Sequence, residues 1–177
     1  LAHDVVHRTM HRVRPVQESL TERVDRIIKA AQQGGVKLAG IFPLRFMKGP
    51  GLAKKAVDDG RLGRSVLADA YIKWYRDQAY YNSSDWKGTW ALDGGGALMN
   101  QGVHGIDLLL WIMGDVESVY AKAEAKVRDI EVEDTCIALL TFKNGAYGVI
   151  QGTTSSNPGE PTALYLHGEK GTIILDD

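Results

Sequence analysis

The chain has 177 residues, 44% of them apolar, which fits one globular domain or one domain with part of a second, and a core of that size needs neither disulfides nor metals. A formal net charge of −1, with no Lys/Arg run longer than Lys54–Lys55, supplies no field for collecting phosphates and excludes nucleic acid as an expected partner. No apolar stretch approaches the ~20 residues of a bilayer span, no signal pattern opens the chain, and the lone Cys136 sits in an apolar run, so a soluble cytoplasmic protein without intrachain disulfides and with no membrane contact is expected.

The first element is a helix from Ser19 to Gly35. Ser19 and Glu22 form a capping box, Leu20, Val24, Ile27, Ile28 and Ala31 make one stripe, and Gly34-Gly35 ends it. The run Val36 to Phe42 then reads as a strand, so the chain opens on the end of an α/β unit. A short helix follows from about Pro50 to Asp59, with Pro near its start and Gly60 after its end. Arg64 to Trp74 reads as a strand, and an aromatic-rich irregular stretch, Tyr75 to Asp93, leads through Gly94-Gly95-Gly96 to a third helix ending near Gly114. From Val116 onward strands succeed one another: Ser118 to Val127, Thr135 to Phe142, Ala146 to Thr153, Thr162 to His167 and Thr172 to Leu175, with Asn144-Gly145 marking a tight hairpin. Helices first and hairpin strands later define an α+β fold, helices packed on one face of a large, mostly antiparallel open sheet.

The chemistry concentrates in Gly94 to Gly114, GGGALMNQGVHGIDLLLWIMG. At about 100° per residue, Asn100, His104, Asp107 and Trp111 share a narrow arc, opposite Met99, Ile106, Leu109, Leu110 and Met113. On such a helix Asn100 or Asp107 can hydrogen-bond one ring nitrogen of His104 and leave the other for acid or base work. A satisfied structural histidine is the plainer alternative. The preceding stretch holds Tyr71, Lys73, Trp74, Tyr75, Arg76, Tyr80, Tyr81, Trp86, Lys87 and Trp90. Flat rings beside Arg and Lys suit a polyhydroxylated ligand, and they equally suit a subunit interface. His3, His7 and His11 recur every four residues but lack a motif of metal-ligand spacing, so a solvated helix face is expected there and no metal site. Neither GxGxxG nor GxxxxGK[ST] occurs.

Gly94 to Gly114 resembles the signature of the Gfo/Idh/MocA oxidoreductases, the glucose-fructose oxidoreductase and inositol dehydrogenase family. Glu18 to Phe46 is similar to the end of that family's nucleotide domain, Asp59 to Gly63 to the turn before its first substrate-domain strand, and Val132 to Gly152 to its sheet. The resemblance implies a Rossmann domain holding NAD or NADP, a second domain whose open sheet mediates homo-oligomers, and hydride transfer from a hydroxyl of a carbohydrate-like substrate such as a sugar, sugar acid or cyclitol. By motif position His104 is the general base and Asn100 stands beside it, where many members have Asp. Lys73, Tyr75, Arg76, Trp86 and Asp107 are assigned to substrate. Val13-Arg14-Pro15 stands where the family has Glu-Lys-Pro, which gives Arg14 to the cofactor with its charge kept but no proton to transfer. Residues 1–45 are then read as the remnant of a truncated nucleotide-binding domain and 46–177 as the substrate and oligomerisation domain, cut short at its own end. Such a fragment is expected to be inactive alone. The alternatives are a non-catalytic saccharide-binding or assembly module and a degenerate product.

Overall fold

The computed structural model describes residues Leu20–Asp176 and forms two compact units, one ending at Leu38 and the other running from Ala39. His3, His7, His11, Arg14 and Ser19 lie outside the described residues.

In the first unit the predicted helix is present as α1, Leu20–Gln33. Its apolar stripe is uncovered, with Val24, Ile27 and Ile28 all exposed. The run Val36 to Phe42, expected as a strand, is extended without sheet pairing. The physical reason is that a strand is defined by its partner: its β-branched and apolar residues favour extension, but no neighbouring strand among the described residues supplies a ladder.

The second unit is the α+β structure the sequence predicts. After a 3-10 turn at Pro43–Phe46, α2 spans Lys48–Asp58 and β1 spans Ser65–Lys73. A short α3, Gln78–Asn82, is N-capped by Asp77, whose carboxylate accepts from the Tyr80 N–H at 2.8 Å. A π-turn at Leu98–Gly102 runs directly into α4, Val103–Met113. Then come β2 (Val116–Glu124), β3 (Thr135–Phe142), β4 (Tyr147–Thr153), β5 (Ala163–Gly168) and β6 (Gly171–Asp176).

The six strands form one sheet in the order β2-β3-β4-β1-β5-β6, antiparallel except where β1 pairs with β4. Because alternate side chains leave opposite faces, the sheet has two characters. One face carries Ala68, Ala70 and Ile72 of β1, Ala138 and Leu140 of β3, Ile150 of β4 and Leu164 and Leu166 of β5, all buried with Leu108, Leu109, Ile112 and Met113 of α4. The small alanines of β1 let α4 lie close. A side chain at Gly105 would come within 3.1 Å of Ile72 and 3.4 Å of Thr162, so the glycine at that position is what permits the approach. The other face exposes Tyr120, Ile137, Leu139, Tyr147 and Ile174. No helix among the described residues is long and apolar enough to cross a membrane.

Candidate active site

His104 lies in the first turn of α4 and is exposed, with its neighbours Gly105 and Asp107 buried. The loop in front of it is built by carboxylates. Glu133 accepts from the backbone N–H groups of Gly96 at 3.0 Å and Leu98 at 3.1 Å, and its own carbonyl accepts from the Ala97 N–H at 2.9 Å. Any side chain at Gly96 would collide with that carbonyl. The last of the three glycines therefore serves backbone against backbone, and the approach positions the π-turn that precedes His104.

The π-turn changes the predicted face. Hydrogen bonds of the i→i+5 type advance each residue by less than the α-helical angle, so Asn100, inside the π-turn, is turned relative to His104, Asp107 and Trp111, which share the regular helix α4. Asn100 is half-buried, and no hydrogen bond joins it or Asp107 to His104 among the described residues. Asp107 is instead held from the other side. Arg45 donates from Nε to Oδ2 at 2.8 Å and from Nη2 to Oδ1 at 2.5 Å, and its guanidinium lies over the rings of Phe42 and Trp111 at 5.3 and 5.5 Å. The hydrogen bonds to Asp107 raise the Arg45 pKa above its ordinary value. Asp107 thus anchors α4 to the segment before α2, so the expectation that it orients the His104 ring is corrected. Met99 and Leu110, expected in the core, are exposed.

The aromatic stretch divides between the two sides of β1. Trp74 and Arg76 lie on the α4 side. Trp74 Nε1 donates to Thr162 Oγ1 at 3.0 Å, and the Arg76 guanidinium stands 5.1 Å from the centroids of both Trp74 and Tyr80. The Tyr80 hydroxyl accepts from Gln101 Nε2 at 3.3 Å, and Lys87 Nζ lies 4.2 Å from the Tyr80 centroid and 5.7 Å from that of Trp86. Arg76, Lys87 and Trp86 are in this way linked through one ring and one amide to the π-turn that precedes α4. Lys73 belongs to the opposite, open face, where it lies 5.2 Å from the Tyr71 centroid and 3.4 Å from Glu160. Tyr75 is exposed beneath the Arg128 guanidinium at 5.3 Å. Arg76 and Trp86 thus share the surroundings of Tyr80 and Lys87, while Lys73 and Tyr75 lie outside that grouping.

Arg45, Gln101, Glu133 and Asp134 are the residues that the reading of the helix and the aromatic stretch does not single out. The signal for the two acids is their place, immediately before β3 and opposite a glycine run whose N–H groups need acceptors. Asp134 is fully buried and accepts from the N–H groups of Lys126, Val127 and Arg128 at 2.7–2.9 Å and from the Thr135 hydroxyl. Burial pushes its carboxyl up, but these donors outweigh burial and hold it below its ordinary value. The Cys136 thiol is pushed up, by burial and then by Glu133, which makes it a poor nucleophile. Among the described residues no three His, Cys, Asp or Glu side chains gather as metal ligands. Nor is there a glycine-rich strand-to-helix turn among them of the kind that fits dinucleotide phosphates.

An open sheet with helices on one face and a histidine-bearing helix across its central strand is the architecture of a substrate-side α+β domain. Residues 52–174 match the family described as GFO/IDH/MocA C-terminal domain, and the chain belongs to that family. Among solved structures it is similar to the WlbA dehydrogenase of Bordetella pertussis in complex with NADH and UDP-GlcNAcA, with 40% identity and a TM-score of 0.82 over 86% of this chain and 48% of that one. The WlbA dehydrogenase of Chromobacterium violaceum, with the same two ligands, gives 35% identity and a TM-score of 0.79 over 85% of this chain and 44% of that one. Among curated proteins, the myo-inositol 2-dehydrogenase of Thermotoga maritima is 29% identical over 93% of this chain and 48% of its own length. The chain spans about half the length of the curated relatives it matches.

Proposed function

We propose that the chain is the substrate side of an NAD-dependent dehydrogenase that oxidises a hydroxyl of a nucleotide-linked sugar acid, with residues 1–45 belonging to the end of a nucleotide-binding domain and 46–177 to the substrate domain. The likeness to the two WlbA dehydrogenases, whose structures hold NADH and UDP-GlcNAcA, favours this substrate over a free cyclitol. The observation that carries the reading is the exposed His104 at the head of α4, one turn after Gln101, which donates to Tyr80 beside Arg76. The nicotinamide supplies the hydride acceptor; this chain's share is to take the hydroxyl proton.

His104 receives that proton as the alcohol becomes a carbonyl, general base catalysis worth typically ~10² to 10⁴-fold. Its accuracy comes from a helix fixed at three points: Gly105 against Ile72, Asp107 against Arg45, and the preceding loop against Glu133. Stiff support of this kind keeps a base in reach of its proton. Turnover of UDP-GlcNAcA with NAD, by this chain joined to a dinucleotide-binding domain, tests the assignment. His104→Gln is expected to cut turnover by about 10²-fold or more while substrate binding persists; equal turnover would remove His104 from the reaction. The 177-residue chain alone is expected to give none.

The open face is proposed to mate with a second copy of the chain. Support comes from the exposed rings and aliphatic side chains of Tyr120, Ile137, Leu139 and Tyr147, a contiguous apolar surface across β2, β3 and β4.

A further inference from the structure

Four acids around the aromatic stretch accept from backbone N–H groups: Asp77 from Tyr80, Asp93 from Gly88 at 2.9 Å, Glu131 from Trp90 at 3.0 Å, and Glu133 from Gly96 and Leu98. Asp85 is exposed and makes no such bond. Arg76 and Lys87 are not neutralised by the four. Lys87 Nζ donates to Ser83 Oγ at 2.7 Å, Arg76 Nη1 donates to the Tyr75 carbonyl at 3.0 Å, and neither side chain has a carboxylate partner among the described residues. Both sit over the Tyr80 ring, whose electron-rich face tolerates a cation without discharging it. The Arg76 Nε–H is buried and has no hydrogen-bond partner.

That orphaned donor decides the chemistry. With Nη1 turned to a backbone carbonyl, Arg76 keeps Nε and Nη2, the edge with which a guanidinium grips an oxyanion side-on. Arg45 uses the same edge in this molecule, Nε and Nη2 on the two oxygens of Asp107. We infer that Arg76 and Lys87 form a subsite for an oxyanion of the substrate, a sugar carboxylate or the diphosphate of a nucleotide-linked sugar. The inference rests on the proposed reading of the chain as a dehydrogenase's substrate side, and it adds what holds the acidic part of that substrate.

The test is calorimetric binding to the 177-residue chain, without cofactor, of UDP-glucuronate, UDP-glucose, glucuronate and glucose. Binding of an anionic probe is expected, weakened about tenfold or more by Arg76→Gln and by Lys87→Gln, as loss of a charge-assisted hydrogen bond requires. If the diphosphate is the anion, both UDP-sugars respond to the substitutions. If the carboxylate is, UDP-glucuronate binds more tightly than UDP-glucose, and free glucuronate competes. Lys87 donates only to a surface serine, so its variant reads the subsite even if Arg76→Gln fails to fold. Unchanged affinity in the folded variants, glucose binding as well as glucuronate, or no saturable binding of any probe would each overturn the subsite. Anion binding without turnover in the fused enzyme would sink the functional reading and leave the subsite standing; turnover indifferent to Arg76 and Lys87 would do the reverse.

Discussion

Leu139 and Leu140 are adjacent on β3, yet one is 53% exposed and the other 5%. They stand for the two faces of the sheet. On Leu140's side the central strands meet helix, and the small residues Ala68, Ala70 and Gly105 close the distance until α4 is seated. On Leu139's side the same strands present rings and branched aliphatics to solvent. The lesson is that apolar content does not tell a core from a docking surface. What separates them is whether another element of the chain is long enough and near enough to cover the face, and the two proposed functions follow that division: chemistry under and beside the helix, assembly on the bare side.

The contrast can be broken most sharply at that pair. Leu140→Ala is expected to cost about 2–5 kcal/mol in denaturant unfolding, because the cavity it leaves is walled by sheet and helix. Leu139→Ala, one residue away, is expected to stay within about 0.5 kcal/mol for the isolated protomer while reducing self-association in sedimentation. Comparable losses at both positions would mean that the exposed face is already structural within one chain.

Asp134 offers a smaller effect at the rim between the two faces. Asp134→Asn removes an acceptor from buried N–H groups and is expected to cost about 1–3 kcal/mol. The pH dependence has a definite sign. A carboxyl whose pKa is lower in the folded state contributes stability above its unfolded value, near ~3.9, and that contribution disappears as pH falls through the folded value. Urea midpoints should therefore decline less steeply below that range in the variant than in the parent; parallel declines would show that the carboxylate's charge is not what the three N–H groups hold.

Most of the sheet was legible because its residues alternate. Cys136, Ala138, Leu140 and Phe142 point one way and Ile137 and Leu139 the other, and Asn144-Gly145 forms the expected hairpin, with the Phe142 N–H donating to the Ala146 carbonyl at 2.8 Å. The Val36 to Phe42 run looked equally strand-like, since apolar β-branched content records a preference for extension and not the presence of a neighbour. His104 was legible as a residue on the polar, exposed side of its helix. The partner of Asp107 was not, because Arg45 lies 62 residues away, and the turning of Asn100 was not, because a π-turn has no compositional mark. The setting of Arg76 and Lys87 was likewise hidden: sequence shows both signs in one stretch, and only the backbone's path brings these two cations to the Tyr80 ring.

Hydrogen exchange on the 177-residue chain, with and without UDP-GlcNAcA, tests the division of labour directly. Slower exchange confined to the stretch from Trp74 through the first turn of α4, with β2 and the exposed edge of β3 unchanged, is the predicted result. Protection appearing instead on β2 and β3 would place the substrate on the open face and contradict the account.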